Sequence, residues 1–225
     1  KLLQLEEEAR TAVAHFGAPS GTLTLGAPES LCTYRLPTVL SRFHARYSKV
    51  QLAFRPGWLQ DRIRGLEEGT IDLAFILDQS TEYPGLVTEW LWQEPIRILA
   101  HPDHPLCSRE TVTPLDLEGE AVLGTEEGCP YRKMFERALA SSGIHPETTI
   151  EFTSIEAIKL CARAGMGLAV LPEVAVKSEL KAGTLVALPW HDRDFSLSAL
   201  MAWHQDKWLS PALRAFVEIV RSEFQ

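Results

Sequence analysis

The sequence predicts an α/β fold, because segments typical of buried strands alternate with segments typical of helices. The clearest unit is T-S-I-E-A-I-K-L-C-A-R-A-G-M-G-L-A-V-L-P, where a helix leads through Gly-Met-Gly into an apolar strand stopped by Pro172. A second segment, 71–76, follows Gly69 and is nearly all apolar. A strand covered on both faces has this composition. We therefore predict a doubly wound parallel sheet.

Length and composition are those of a globular protein. The chain has 225 residues, of which 45% are hydrophobic, so it can bury a core in one large domain or two small ones. No apolar run approaches the roughly 20 residues that cross a bilayer. The first ten residues, K-L-L-Q-L-E-E-E-A-R, lack the apolar core of a secretory signal. We expect a soluble, cytoplasmic protein with no membrane partner.

The charge argues against DNA binding by this chain, and the cysteine content argues against a fold held together by disulfides. Lys and Arg total 22 against 30 Asp and Glu, and the net charge of −8 repels a phosphate backbone. This chain alone should therefore not bind DNA. The four cysteines are scattered without a paired spacing, which predicts reduced thiols: Cys32, Cys107, Cys129 and Cys161.

Hydrophobic spacing at the start of the chain predicts a short helix over residues 1–16. Apolar residues recur there at alternating steps of three and four, the rhythm of a coiled-coil seam: Leu2, Leu5, Ala9, Ala12 and Phe16. The pattern fits a helix that pairs with another chain, and it equally fits an amphipathic helix lying on its own domain. Ala18-Pro19-Ser20-Gly21 ends the helix and opens the globular part.

The remaining elements follow in regular order. Predicted strands cover 22–25, 50–54, 71–77, 87–92, 96–100, 121–123, 149–152, 168–171 and 195–203. Predicted helices cover 31–47, 59–68, 131–142, a segment capped by Ser154, and 209–224. We expect the Ser154 side chain to accept a hydrogen bond from a free backbone N–H of the following turn.

The helix followed by A-G-M-G-L-A-V-L-P resembles the effector-binding domain of LysR-type transcriptional regulators, and the resemblance extends over nearly the whole chain. It implies two Rossmann-like lobes joined by two crossover segments, a periplasmic-binding-protein-like (type 2) architecture. Residues 1–16 would be the C-terminal part of the linker helix. Lobe I would comprise 17–95 and 193–225, and lobe II 96–192. The N-terminal winged helix-turn-helix would be absent from this chain.

The resemblance also implies a function. A small, anionic effector would bind in the cleft between the lobes, and the domains would pair as homodimers, with tetramers in the full-length protein. DNA would be bound through the missing N-terminal domain, with RNA polymerase as a further partner. We expect no cofactor and no catalysis, since G-x-S-x-G, H-E-x-x-H and phosphate-loop motifs are absent. A transport solute-binding protein and an enzyme share this architecture and remain alternatives.

Ligands of open α/β sheets sit beyond the carboxyl ends of the strands. The first strand ends before Pro28, Glu29 and Ser30, and Ser30 stands where LysR-type domains commonly carry a ligand-contacting hydroxyl. A plain helix cap is the alternative role for Ser30. The second strand leads to Trp58, where the family often has a small polar residue. Trp58 would narrow the pocket, stack on the effector, or belong to the core.

The loop after the strand at 121–123 resembles the G-C-S-Y-R segment of one group of LysR-type regulators, with Pro130 replacing the serine. Its predicted ligand contacts, together with Ser154 on the next helix, are Thr125, Gly128, Cys129, Tyr131 and Arg132.

Arg132 lies in the first turn of a helix, where a cation is unfavourable and needs compensation. A bound anion would supply it, and so would an ion pair with Glu126, Glu127 or Glu136.

Two further motifs carry weaker hypotheses. Cys129 invites a redox role, because peroxide-sensing family members place a reactive cysteine in this loop and a helix N-terminus lowers a thiol pKa. No second cysteine follows nearby, and Cys161 is better explained as helix core. His101, His104 and Cys107 form H-x-x-H-x-x-C, but prolines interrupt it and no fourth ligand is apparent, so we predict a surface loop and no metal.

Overall fold

The computed structural model describes residues 19–55, 57–144, 148–192 and 194–224. The predicted linker helix, 1–16, lies outside these residues. The strands are β1 (Gly21–Gly26), β2 (Val50–Arg55), β3 (Leu73–Asp78), β4 (Leu86–Ala100), β5 (Ala121–Thr125), β6 (Thr148–Phe152), β7 (Leu168–Pro172), β8 (Val186–Ala187) and β9 (Ser196–His204). The α-helices are α1 (Glu29–Tyr34), α2 (Pro37–Arg46), α3 (Leu59–Glu68), α4 (Pro130–Ala140), α5 (Ile155–Arg163), α6 (Glu173–Ala182) and α7 (Pro211–Phe224).

The chain divides into two compact units, with boundaries between Trp92 and Gln93 and between Leu197 and Ser198. Both boundaries fall inside long strands, β4 and β9, so the backbone enters and leaves the second unit in extended conformation. We call the part up to Trp92 together with the part from Ser198 unit 1, and the part between them unit 2.

In unit 1, β1 lies between β2 and β3 and is parallel to both. β9 continues the sheet antiparallel to β3. Apolar strand residues are buried under α2 and α7, where Phe216 contacts Phe43 and Phe75 with ring centroids 5.1 and 6.3 Å apart. Edge-to-face rings at these distances pack favourably. This core fixes the carboxyl ends of β1 and β2, where Gly26 pairs with Arg55.

In unit 2, β5 lies between β6 and β7 and is parallel to both. β4 runs antiparallel to β7, and the short β8 pairs with β4. All five residues of β7 are buried, as its apolar composition predicts. The register places Thr125, the last residue of β5, beside Phe152.

The α/β prediction is confirmed, with differences in individual elements. The predicted helix 31–47 is two helices, because Pro37 lacks the N–H that a continuous helix needs and instead opens α2. The strands predicted at 87–92 and 96–100 are one strand, β4. Helix α6 has no counterpart in the prediction. The sheets are also not purely parallel, since β4 and β9 run antiparallel to their neighbours.

The Ser154 prediction is wrong in detail. Ser154 precedes α5, but its side chain makes no capping hydrogen bond, and its backbone carbonyl accepts from the Ile158 N–H instead. None of the described helices is long and apolar enough to span a membrane.

Candidate functional site

Ser30 lies beyond the carboxyl end of β1. Pro28 is the cap residue of α1, Glu29 is the exposed first residue of that helix, and Ser30 is the second. The cap role considered for Ser30 is therefore wrong. Its side chain is buried, and its hydroxyl has no hydrogen-bond partner among the described residues. Buried hydroxyls are normally paired, so the hydroxyl of Ser30 is an exception to the usual pattern.

Trp58 is the cap residue of α3, next to the carboxyl end of β2. The indole is 45% exposed, so the core role considered for it is wrong. Its backbone N–H donates to the Asp61 carboxylate at 3.0 Å.

Thr125 ends β5 in unit 2 and is buried. No described nitrogen or oxygen forms a hydrogen bond with its hydroxyl. A cavity of about 20 Å³ lies beside it, lined by Val122, Gly124, Thr125, Arg132, Phe135, Glu136 and Val170. A space of this size holds one water molecule and no metabolite. Each unit thus carries a buried hydroxyl at or just beyond the carboxyl end of a parallel strand, and that of Thr125 interacts with the Cys129 thiol.

Arg132 is held by protein groups on three sides. Its Nε donates to Glu136 Oε1 at 2.7 Å, and its Nη1 donates to Glu151 Oε2 at 2.7 Å and to the Thr125 carbonyl at 2.5 Å. Burial lowers the pKa of the guanidinium, but the hydrogen bonds from the two carboxylates outweigh burial and raise it. Of the partners that the sequence suggested, Glu136 is present, and Glu151 was not foreseen.

Cys129 is the cap residue of α4 and is buried. Burial raises the pKa of its thiol, against the opposing effects of the Thr125 hydroxyl and the backbone N–H groups of Arg132 and Tyr131. The thiolate that a peroxide sensor needs is therefore disfavoured. Tyr131 is also buried, and Gly128 takes a positive φ of 97° in the preceding turn. All four cysteines are unpaired thiols.

The side chains of the H-x-x-H-x-x-C segment have separate partners. His104 Nε2 lies 3.2 Å from Glu120 Oε2, and the Cys107 sulfur donates to the His101 carbonyl at 3.5 Å. Among the described residues no group of three or more His, Cys, Asp or Glu side chains is arranged to hold a metal ion.

Unit 2 also contains a larger cavity that no sequence motif marked. Its volume is about 400 Å³, and its lining residues are Ile96, Arg97, Ile98, Glu110, Thr111, Leu188, Pro189, Trp190, His191, Asp192 and Phe195. None of the predicted ligand contacts is among them. Its lining combines apolar side chains with charged ones of both signs, and the Trp190 ring stacks on His191 with ring centroids 4.7 Å apart.

Comparison with known proteins identifies the family of this chain. The LysR substrate binding domain matches residues 16–225. The chain belongs to the LysR substrate-binding domain family. It is 41% identical to an uncharacterised HTH-type transcriptional regulator, YwqM of Bacillus subtilis, over all of this chain and 76% of that protein. It is 30% identical to the HTH-type transcriptional regulator GltR of the same organism, over all of this chain and 74% of that protein.

A solved structure shows the same fold. The regulatory domain of Synechocystis CcmR, determined in complex with 2-PG, superposes with a TM-score of 0.82 at 21% identity, covering 92% of this chain and 98% of that one. The LysR resemblance and the periplasmic-binding-protein-like fold are confirmed. The chain is the substrate-binding domain of a transcriptional regulator, and the matches favour this function over a transport protein or an enzyme.

Proposed function

We propose that this chain senses a small, anionic metabolite and transmits its binding to DNA-binding domains carried by the full-length regulator. The ligand shifts the equilibrium between two arrangements of the domain, because it stabilises the arrangement that binds it more tightly. Its effect equals the difference between its affinities for the two arrangements, commonly about 1–3 kcal/mol. We infer that the signal leaves through a homodimer or tetramer, in the cytoplasm, with RNA polymerase as a further contact and without cofactor or catalysis.

The observation that carries the proposal is the buried hydroxyl of Ser30 in unit 1, which has no partner among the described residues. Thr125, in unit 2, is included as a second proposed contact. A buried hydroxyl left unpaired costs roughly 1–3 kcal/mol of stability. A ligand oxygen that accepts from it recovers this energy. The proposal also includes the other predicted contacts, on which it depends less: Pro28, Glu29, Gly128, Cys129, Tyr131 and Ser154.

The source of positive charge differs from the one that the sequence suggested. Arg132 already faces two carboxylates, so it offers an anion little net charge. In unit 1, the buried Arg62 donates to the Gly57 carbonyl at 2.7 Å, beyond the end of β2. Buried charges are weakly screened by water and act over longer distances than exposed ones. Arg62 therefore supports an anionic ligand at the edge that carries Ser30.

The test is a thermal-shift panel of carboxylates, amino acids, sulfur compounds and aromatic compounds, run on the protein and on Ser30→Ala and Thr125→Val. Each variant removes a hydroxyl and keeps the shape of the side chain close to the original. A ligand at 100 times its dissociation constant adds about 2.7 kcal/mol, which a melting curve resolves.

The expected result has two parts. Without ligand, Ser30→Ala melts at or above the temperature of the original protein, because an unpaired buried hydroxyl has been removed. With ligand, the shifts of both variants are smaller. Ser20→Ala is the matched control, since Ser20 also has a buried unpartnered hydroxyl but lies before β1. A ligand whose shift survives both site variants, or a panel without any shift, would overturn the proposal.

A further inference from the structure

The larger cavity of unit 2, about 400 Å³, is of the size that holds a metabolite. Backbone hydrogen bonds fix the segments around it. The Val112 N–H donates to the Pro189 carbonyl at 2.8 Å, and the His191 N–H donates to the Val112 carbonyl at 2.9 Å. The Leu188 N–H donates to the Ile98 carbonyl at 2.8 Å. The cavity is therefore pre-organised, which reduces the entropy that a ligand must overcome.

Part of the lining suits a hydrocarbon group. The apolar side chains that line the cavity and are themselves buried are Ile96, Ile98, Leu188 and Phe195. The ring of Trp190 lies beside that of Phe195, with ring centroids 5.9 Å apart. The face of an indole ring attracts cations, and tryptophan does so more strongly than other aromatic residues.

The one cationic group of arginine type in the lining is already compensated. Arg97 Nε donates to Glu173 Oε2 at 2.6 Å, and the two side chains form an ion pair. Glu173 opens α6 and is not among the lining residues. Arg97 therefore offers little net positive charge to an occupant of the cavity.

The carboxylates of the lining are not compensated in this way. Glu110 and Asp192 are exposed, and neither forms an ion pair with a described residue. The Asp192 carboxylate accepts from the Asp194 backbone N–H at 3.0 Å, which leaves its charge in place. Arg193 lies outside the described residues, but it stands between two aspartates in the sequence, so residues 192–194 keep a net negative charge. The lining as a whole attracts cations.

We propose that this cavity is a second ligand site, which takes a small organic cation with an ammonium group joined to an apolar ring or chain. The ammonium group lies near Glu110 and Asp192, and the apolar part packs on the buried side chains of the lining. None of the contacts proposed for the anionic effector takes part, so the site does not depend on the proposed function.

The position of the cavity gives such a ligand a route to the rest of the chain. The Ile96 N–H donates to the Phe195 carbonyl at 2.9 Å, so the backbone segments that enter and leave unit 2 are joined beside the cavity. An occupant contacts both segments close to the unit boundaries.

The experiment compares benzylamine, which is a cation at neutral pH, with benzyl alcohol, which has the same apolar part and no charge. Calorimetry measures both dissociation constants for the original protein, Glu110→Gln, Asp192→Asn and the double variant. Glu118→Gln is the matched control, because Glu118 is an exposed carboxylate of unit 2 that does not line the cavity. Both cavity substitutions are at exposed positions and keep the side-chain shape, and circular dichroism checks folding.

We expect benzylamine to bind roughly five- to thirtyfold more tightly than benzyl alcohol. Each single variant weakens benzylamine roughly two- to fivefold, the double variant weakens it further, and benzyl alcohol is unaffected. Added salt weakens benzylamine alone, because exposed charges are screened. The proposal is overturned if benzylamine does not bind at millimolar concentrations, if the alcohol binds equally well, or if the double variant binds benzylamine as the original does. Equal weakening by Glu118→Gln overturns it too, because attraction to the net charge then explains the binding.

Discussion

Gly167, the second glycine of Gly-Met-Gly, lies where the turn before β7 approaches β5. A Cβ at this position would lie 2.6 Å from the carbonyl oxygen of Ala121 and 3.1 Å from its carbonyl carbon. Ala121 opens β5, which is paired with β6 on one side and β7 on the other. Because a backbone carbonyl in a central strand cannot rotate away, any side chain at 167 forces the strands apart.

The magnitude of Gly167→Ala follows from two contributions. Forcing a methyl group into filled space costs about 1–3 kcal/mol, and a φ of 158° on a residue with a side chain adds about 1–3 kcal/mol. We expect the free energy of unfolding to fall by about 2–6 kcal/mol. Gly165 is the matched control, because its φ is 73° but a Cβ there would meet nothing within 4 Å. Gly165→Ala should cost only about 1–2 kcal/mol.

Urea unfolding followed by circular dichroism measures both differences. Asparagine sharpens the comparison, because it tolerates left-handed backbone better than alanine but needs more space. Gly165→Asn should be milder than Gly165→Ala, whereas Gly167→Asn should be at least as damaging as Gly167→Ala. If the two positions respond alike, the close approach to Ala121 does not determine stability and the reasoning fails.

Two further predictions concern buried polar groups in unit 2. Lys159→Met should lower the free energy of unfolding by about 3–5 kcal/mol, because Lys159 is 7% exposed and pairs at 2.8 Å with the mostly buried Glu179. Glu156, the other partner of Lys159, is exposed, so Glu156→Gln should lower it by less than about 1 kcal/mol. Burial raises the pKa of Glu179, but hydrogen bonds from Lys159 and Ser178 outweigh it and lower the pKa. The Lys159→Met deficit should therefore shrink as the pH falls towards this lowered pKa, because a protonated Glu179 no longer needs a positive partner. Equal deficits for the two variants would contradict this. Iodoacetamide at neutral pH should alkylate Cys129 markedly more slowly in the folded protein than in urea, because burial raises the pKa of the thiol. Mass spectrometry measures both rates. Equal rates would support the redox hypothesis for Cys129.

Two prolines lie where the elements predicted from the sequence differ from those of the structure. Pro37 interrupts a pattern that otherwise reads as one helix, and its missing N–H was a usable signal that α2 begins there. Pro95 looks like a similar break, yet β4 continues through it, because the pairing of β4 with β7 begins only at Ile96 and proline's φ suits extended backbone. Local chemistry marks helix starts well, whereas strand continuity depends on a partner strand elsewhere in the chain.

Only one of the two carboxylate partners of Arg132 could be predicted from the sequence, because the other depends on a strand elsewhere in the chain. Glu136 is four residues along the same helix, so the spacing alone suggests the contact. Glu151 lies on β6 and comes within reach because it pairs with Gly124, and that register cannot be read from the sequence. The burial of Ser30 and Thr125 was likewise invisible, since whether a hydroxyl has a partner depends on every element packed around it.

These differences change how the proposed ligand selection works. A sequence with one conspicuous arginine in a ligand loop suggests selection by charge, but the two carboxylates around Arg132 leave that arginine committed to the protein itself. The proposed contacts that remain at buried positions are uncharged, the hydroxyl of Ser30 in unit 1 and that of Thr125 in unit 2. A hydrogen bond to a buried hydroxyl rejects a ligand that lacks the matching oxygen, because the hydroxyl then stays unpaired. A domain built this way would discriminate among anions by the shape and hydrogen-bonding pattern of the part that carries no charge.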